Sequence, residues 1–116
     1  MESQGKYLLL RIFIDSTDKF KYRSLYEMIV YRAQKQGLAG ATVLQAVHGY
    51  GKGSIIHQHK FFDIVDKEPV AVEIIDEEKK IRAFLNEISD FFEKMPYGCL
   101  VTLEKVEVLL YKSGEK

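Results

Sequence analysis

The residues best suited to bind a charged ligand lie in the run GATVLQAVHGYGKG, residues 40–53. Gly49 and Gly51, followed by a third glycine, allow positive φ angles, so that consecutive backbone N–H groups can converge on an anion. Lys52 adds a positive charge, and Thr42 adds a hydroxyl group on the adjoining strand. This composition suits a phosphate-binding loop, although glycines after a strand also serve flexibility alone. The run has neither the Gly-Lys-Ser/Thr sequence of a P-loop nor the glycine spacing of a dinucleotide-binding fold.

Three histidines offer a different chemistry. His57 and His59 stand two apart, so in an extended loop their imidazoles point the same way and can share a metal ion with His48 or with a second subunit. The alternative is that all three are ordinary solvent-exposed loop residues. Cys99 is the sole cysteine, which excludes an intrachain disulfide and a cysteine-rich zinc site. Because the sequence offers it no partner base, we interpret Cys99 as a small buried residue rather than a nucleophile.

Two charged residues stand alone in apolar segments that are typical of strands. Arg11 interrupts the run YLLLRIFI, and Glu73 interrupts VAVEII. Each side chain either lies on an exposed edge or faces a polar cleft, and the sequence leaves both possibilities open.

Four strands and two helices are predicted to position these residues. The order is a strand at 7–14, a helix at 24–36, a strand at 40–47, a strand at 70–75 with Pro69 at its start, a helix after Asp76 and a strand at 100–111. This order is the ferredoxin-like split βαβ pattern (βαββαβ), an α+β fold with a four-stranded antiparallel sheet and two helices on one face.

Both helix starts carry sequence signals. Ser24 and Glu27 have the spacing of a capping box, and Asp76 can cap the second helix ahead of an acidic first turn. These signals predict that side chains cap both helices.

Two helices cover only one face of such a sheet, whereas the strands are apolar at nearly every position. Leu9, Val43, Val72 and Val101 cannot all be buried by the helices alone. We therefore predict that the other face is covered by self-association, with the sheets of a homo-oligomer facing one another.

The composition restricts the class of protein. The chain has 116 residues, with 17 Lys plus Arg against 17 Asp plus Glu, so its formal net charge is zero. That length suits one domain, residues 1–116, and the balanced charge argues against a nucleic-acid-binding protein. The charge is nevertheless segregated along the chain. Residues 1–60 hold nine cations and four anions, whereas residues 61–116 hold eight cations and thirteen anions. Without an apolar run of membrane-spanning length or a signal peptide, we expect a cytoplasmic protein that does not insert into a membrane.

Several of these motifs together resemble the PII signal proteins. The resemblance covers the strand start Gly40-Ala41-Thr42-Val43, the loop entry His48–Gly53, the strand Val72–Ile75 and the terminal Lys112–Glu115. An uncharacterised family of short PII-like proteins is still more similar, from the Ser24-Leu25-Tyr26 helix start through Ile56-His57 to the last strand.

This resemblance implies a homotrimer that binds a small molecule, such as an adenine nucleotide, in clefts between its subunits. A mobile loop at about 52–67 would report occupancy to a protein target such as a membrane transporter. The ligand-contacting positions that it implies are Thr42, Gly49, Gly51, Lys52, Glu73, Ile75, Gly98 and Lys112.

The chain departs from the PII pattern at phosphate-binding cations. Cys99 stands where PII proteins have a lysine, and Leu110 and Lys112 stand where they have paired arginines. Each lost cation removes a charge-assisted contact of about 1.5–3 kcal/mol, which disfavours ATP and leaves open a less charged ligand, such as AMP, another nucleotide or a metabolite.

The resulting hypothesis is a non-enzymatic PII-like signalling protein without catalytic residues, a resident metal or a cofactor. The alternative is a metal-binding trimer of the cation-tolerance type, which shares the fold. An acylphosphatase-like enzyme is disfavoured, because the arginine loop that such an enzyme needs after the first strand is replaced by the acidic stretch Asp15–Asp18.

Overall fold

The computed structural model describes residues 2–46 and 68–114. Its elements are β1 (Tyr7–Asp15), β2 (Lys19–Phe20), β3 (Arg23–Ser24), α1 (Leu25–Lys35), β4 (Thr42–Gln45), β5 (Pro69–Glu77), α2 (Glu78–Lys94) and β6 (Leu100–Val106). The main sheet has the order β4-β5-β1-β6, and all of its neighbouring strands are antiparallel. This arrangement confirms the predicted ferredoxin-like α+β fold. The short hairpin of β2 and β3, between β1 and α1, was not predicted.

The core lies between one face of the sheet and the two helices. Alternate residues of β1 and β5 point to this side, because side chains alternate between the faces of a strand. The strands contribute Leu8, Leu10, Ile12, Ile14, Val70, Val72 and Ile74, and the helices contribute Leu25, Met28, Ile29, Ala33, Ile81, Phe84 and Ile88. The burial of these side chains supplies the main driving force that fixes the strands in register.

The four apolar strand residues that were predicted to exceed the coverage of the helices are divided between the two faces of the sheet. Val72 belongs to the core, and Val43 and Val101 are half-buried against it, so the helices do cover these three. Only Leu9 lies on the opposite face, where it pairs in register with Ile75 and Glu104. The prediction that the helices alone cannot cover all four therefore holds, but through Leu9 alone, because the strand register that assigns each residue to a face is not visible in composition.

The helix starts are not capped by the predicted side chains. Ser24 is the N-cap of α1, but its hydroxyl makes no cap hydrogen bond, and Leu25 N instead donates to Asp18 O at 2.7 Å. The N-cap of α2 is Glu77, again without a side-chain bond, and Glu78 N donates to Lys6 O at 3.0 Å. Neighbouring backbone carbonyl groups thus take the place of capping side chains.

The last strand is shorter than predicted. β6 ends at Val106, and the following residues continue without ladder pairing to the sheet. Gln4 holds this tail, since its N donates to Val108 O at 3.0 Å and its Nε2 donates to Leu109 O at 3.3 Å. The tail therefore runs beside the N-terminal segment, with Leu109 and Leu110 exposed.

Candidate functional site

The face of the sheet opposite the helices, called the open face below, carries a polar row. The strand register aligns four residues across the sheet in the order Thr42, Glu73, Arg11 and Thr102. Arg11 Nε donates to Glu73 Oε2 at 2.8 Å, and Arg11 Nη1 donates to Glu104 Oε1 at 3.0 Å. The hydrogen bond to Glu73 is the main cause that raises the pKa of Arg11. The two lone charges of the sequence thus pair with each other on the two central strands, and neither lies on an edge.

An apolar row lies next to the polar one on the open face. In register order its members are Leu44, Ala71, Phe13 and Leu100. The exposed fraction is 48% for Leu44, 37% for Phe13 and 57% for Leu100, and Ile75 on the same face is 45% exposed. Large apolar side chains that are contiguous and exposed mark an interaction surface. The open face is therefore apolar at its margins and charged at its centre.

The ends of β4 and β5 are tied to each other and to β1. Ala46 N donates to Pro69 O at 2.9 Å, and the side chains of Gln45 and Glu68 are hydrogen-bonded. Ser16 N donates to Glu68 O at 2.8 Å, while Glu68 N donates to Ser16 Oγ at 3.3 Å. These bonds hold the end of β4 next to the start of β5. We call this edge of the sheet, which comprises Ser16, Gln45, Ala46, Glu68 and Pro69, the loop end.

The connection between α2 and β6 reaches the same loop end. Gly98 and Cys99 come directly before Leu100, which pairs with Phe13 near the end of β1. Cys99 is exposed, so its interpretation as a small buried residue was wrong. Partial desolvation nevertheless raises the pKa of its thiol, and the negative charge of Asp18 raises that pKa further. A phosphate group at this position would meet a neutral thiol and a carboxylate instead of the lysine of PII proteins.

We expect the Cys99 thiol of the folded protein to react slowly with a thiol reagent at neutral pH. Its raised pKa leaves less of the reactive thiolate than a free cysteine has. The rate should climb with pH along a curve displaced to higher pH than that of the same chain unfolded in urea. Coincident curves for the folded and unfolded chains would contradict this assignment.

The eight predicted ligand-contacting residues fall into three groups. Thr42, Glu73 and Ile75 lie together on the open face, as the register shows. Gly98 lies at the loop end, whereas Lys112 belongs to the tail that follows the opposite end of β6. Gly49, Gly51 and Lys52, with the predicted mobile loop at 52–67, lie outside the described residues.

Sequence reasoning did not find Thr102 and Glu104 as members of the polar cluster. Glu104 is 93 residues from Arg11, so the contact depends on the order of the strands in the sheet. One signal was available: Thr102 and Glu104 alternate with Val101 and Leu103, which is the pattern of a strand with one polar face.

Metal binding has no candidate in the parts of the chain that the structure describes. There, no group of three His, Cys, Asp or Glu side chains could hold a metal ion. His48, His57 and His59 lie outside the described residues. Among residues 2–46 and 68–114, no helix is long and apolar enough to cross a membrane.

The sheet order and the two helices match solved structures of PII-like proteins. A candidate PII-like signaling protein of Thermus thermophilus (TTHA0516) superposes with a TM-score of 0.64 at 19% identity, covering 93% of both chains. CPII of Thiomonas intermedia K12, a nitrogen regulatory PII-like protein, superposes with a TM-score of 0.58; it was solved with ADP and bicarbonate. That alignment is 17% identical and covers 89% of this chain and 90% of CPII. The protein therefore has the PII-like ferredoxin fold.

The sequence defines the family more closely. The chain belongs to the DUF190 family, described as "Uncharacterized ACR", whose model matches residues 7–108. A UPF0166 protein of Aquifex aeolicus is 46% identical over 104 residues, which is 90% of this chain and 94% of the relative. The UPF0166 protein MJ1524 of Methanocaldococcus jannaschii is 30% identical over 80 residues, covering 69% of this chain and 73% of the relative. The predicted membership of an uncharacterised PII-like family is confirmed.

Proposed function

We propose that the protein is a non-enzymatic regulatory protein of the PII type. In this proposal, the 116-residue chain forms a single domain and assembles into a cytoplasmic homotrimer through the open face. The trimer binds an adenine nucleotide in the clefts between subunits and signals occupancy to a protein target through residues 52–67. A membrane transporter is the kind of target that PII-like proteins suggest.

The open face is the observation that carries this proposal. Leu44, Ile75 and Leu100 are about half exposed there, and Phe13 is more than a third exposed. A second copy that covers this face would bury the apolar row and also enclose the ion pairs of Arg11. The interfaces of obligate oligomers are nearly as hydrophobic as a domain core, and the apolar row gives the open face this property.

The positions of the predicted ligand residues favour a site shared between subunits. Gly98 precedes β6 and Lys112 belongs to the tail beyond its other end, so we infer that the two residues reach one small ligand from different subunits. Two neighbouring subunits can do so if the tail of one approaches the loop end of the next. A ligand in such a cleft binds one conformation of the trimer more tightly than another. It therefore shifts the population toward that conformation, which is how it would regulate the protein.

The ligand is expected to carry few phosphate charges. CPII binds ADP and AMP, which makes an adenine nucleotide the first class to test. In this chain, however, a thiol beside Asp18 replaces the lysine at position 99, and the pKa of Cys99 is raised rather than lowered. Both features disfavour a triphosphate.

Isothermal calorimetry of the wild type is expected to show binding of AMP or ADP and weaker binding of ATP. The variant Cys99→Lys should raise the affinity for ATP by about tenfold or more, because one charge-assisted contact contributes about 1.5–3 kcal/mol. The control is Lys94→Ala, which removes an exposed cation at the end of α2. It should leave the order of the affinities for AMP, ADP and ATP unchanged. If no adenine nucleotide binds to the wild type, the nucleotide part of the proposal fails.

A further inference from the structure

A cationic surface lies on the opposite side of the molecule from the open face. It is formed by Lys19, Lys21 and Arg23 of the β2–β3 hairpin and by Arg32 and Lys35 of α1, and is called the basic face below. All five side chains are exposed, and within residues 2–46 and 68–114 none of them forms a salt bridge with a carboxylate. These five residues are most of the nine cations in residues 1–60.

Two aromatic rings organise the basic face. Lys21 Nζ and the Arg32 guanidinium lie 5.4 and 5.9 Å from the ring centroid of Phe20. Around Tyr31, the Arg23 guanidinium and Lys35 Nζ lie 5.7 and 5.6 Å from the ring centroid. Each ring thus attracts two cations, which keeps four like charges close together.

The tip of the hairpin is held in an unfavourable conformation. Lys21 has φ +56°, the left-handed region that favours glycine. The next residue, Tyr22, is fully exposed. A two-residue turn between antiparallel strands requires a positive φ, and here that turn presents a cation and an aromatic ring to solvent.

A groove beside the basic face shows which shape of partner fits. It runs between α1 and α2 and is lined by Tyr31, Arg32 and Lys35 on one side and by Glu87 on the other, with Phe84 and Ile88 beneath. An extended segment can enter this groove and reach its cationic wall, whereas a flat bilayer cannot enter it. Phe20 and Tyr31 already have cations near their rings, which disfavours the base stacking by which single-stranded nucleic acids bind.

We propose that the basic face binds an acidic segment of a partner protein. Asp and Glu side chains of that segment supply carboxylates to the five cations, and the exposed Tyr22 contacts the segment where it passes the hairpin. The proposed surface consists of residues other than 52–67, and the interaction does not depend on nucleotide binding.

A labelled oligo-glutamate peptide, titrated by fluorescence anisotropy into the full-length protein, tests the proposal. We expect binding that weakens as salt is raised, and no binding of an oligo-glutamine peptide of equal length. The double variant Arg23→Glu/Arg32→Glu should lose about tenfold or more in affinity. The control Lys79→Glu/Lys80→Glu changes the net charge equally on exposed positions of α2 and should stay within about twofold of the wild type.

A second variant distinguishes the loss of a binding residue from misfolding. Lys21→Gly removes one cation and relieves the strained turn, so it should weaken peptide binding while the melting temperature stays equal or rises. Equal losses in the basic-face and control variants, or unchanged binding in both basic-face variants, would overturn the proposal. Tighter binding of single-stranded oligothymidylate, or of phosphatidylcholine vesicles containing phosphatidylserine, than of the peptide would also overturn it.

Discussion

Leu44→Asp is expected to dissociate the proposed trimer into monomers that remain folded. Leu44 is 48% exposed on the edge strand β4, where its side chain belongs to the apolar row of the open face. In a monomer the new carboxylate meets water and costs little. In the proposed interface it would be buried without a partner, at a cost of several kcal/mol in each subunit. Sedimentation equilibrium at micromolar concentration measures the result.

The control for this variant is Tyr22→Asp, which places the same charge on a fully exposed residue of the β2–β3 hairpin. It should sediment like the wild type. A wild type that is monomeric at micromolar concentration, or a Leu44→Asp protein that stays trimeric, contradicts the assembly through the open face. Circular dichroism of each variant establishes that the fold is retained.

Asp76→Ala is expected to lower the free energy of unfolding by about 2–4 kcal/mol, because it removes two hydrogen bonds to a buried carboxylate, and one hydrogen bond to a charged group contributes about 1.5–3 kcal/mol. Asp76 is 5% exposed, and its carboxylate accepts hydrogen bonds from Ala39 N at 2.8 Å and from Glu77 N at 2.7 Å. The first bond ties the connection between α1 and β4 to β5, and the second lies at the start of α2. Urea unfolding followed by circular dichroism gives the value.

Two further variants test whether the loss of stability comes from the two hydrogen bonds of Asp76. Asp76→Asn keeps one carbonyl oxygen as an acceptor, so it should lose less stability than the alanine variant. Asp90→Ala removes an exposed carboxylate from α2 and should change stability by less than about 0.5 kcal/mol. If Asp76→Ala were as stable as Asp90→Ala, the two hydrogen bonds would contribute nothing to folding.

The sequence predicted the fold well because its strongest signals are local. Apolar periodicity located both helices and the central strands, and their order permits few topologies. The details that failed depend on tertiary contacts. Asp76 and Ser24 have the side chains of helix caps, but backbone carbonyls of Lys6 and Asp18 take those positions in the folded chain. Capping propensity describes an isolated helix, and the tertiary fold overrides it here.

The candidate site was predictable only in part, for a similar reason. Arg11 and Glu73 were each conspicuous as lone charges in apolar strands, but the sequence could not say that they face each other. That pairing follows from the alignment of β1 with β5, and the link to Glu104 requires β6 on the other side of β1. The hairpin was missed because β2 and β3 have two residues each, which is too short for a periodic pattern.

The hydrogen bonds at the loop end have an evolutionary consequence. Ala46 and Pro69 are joined at 2.9 Å, and Glu68 is fixed to Ser16, so the two anchor points stay together whatever sequence connects them. Doubling the length of a flexible connection adds only about 0.6 kcal/mol of closure entropy. Insertions, deletions and exchanges between these anchors are therefore tolerated by the sheet. The rest of the domain can therefore be inherited unchanged while the sequence between Ala46 and Glu68 varies.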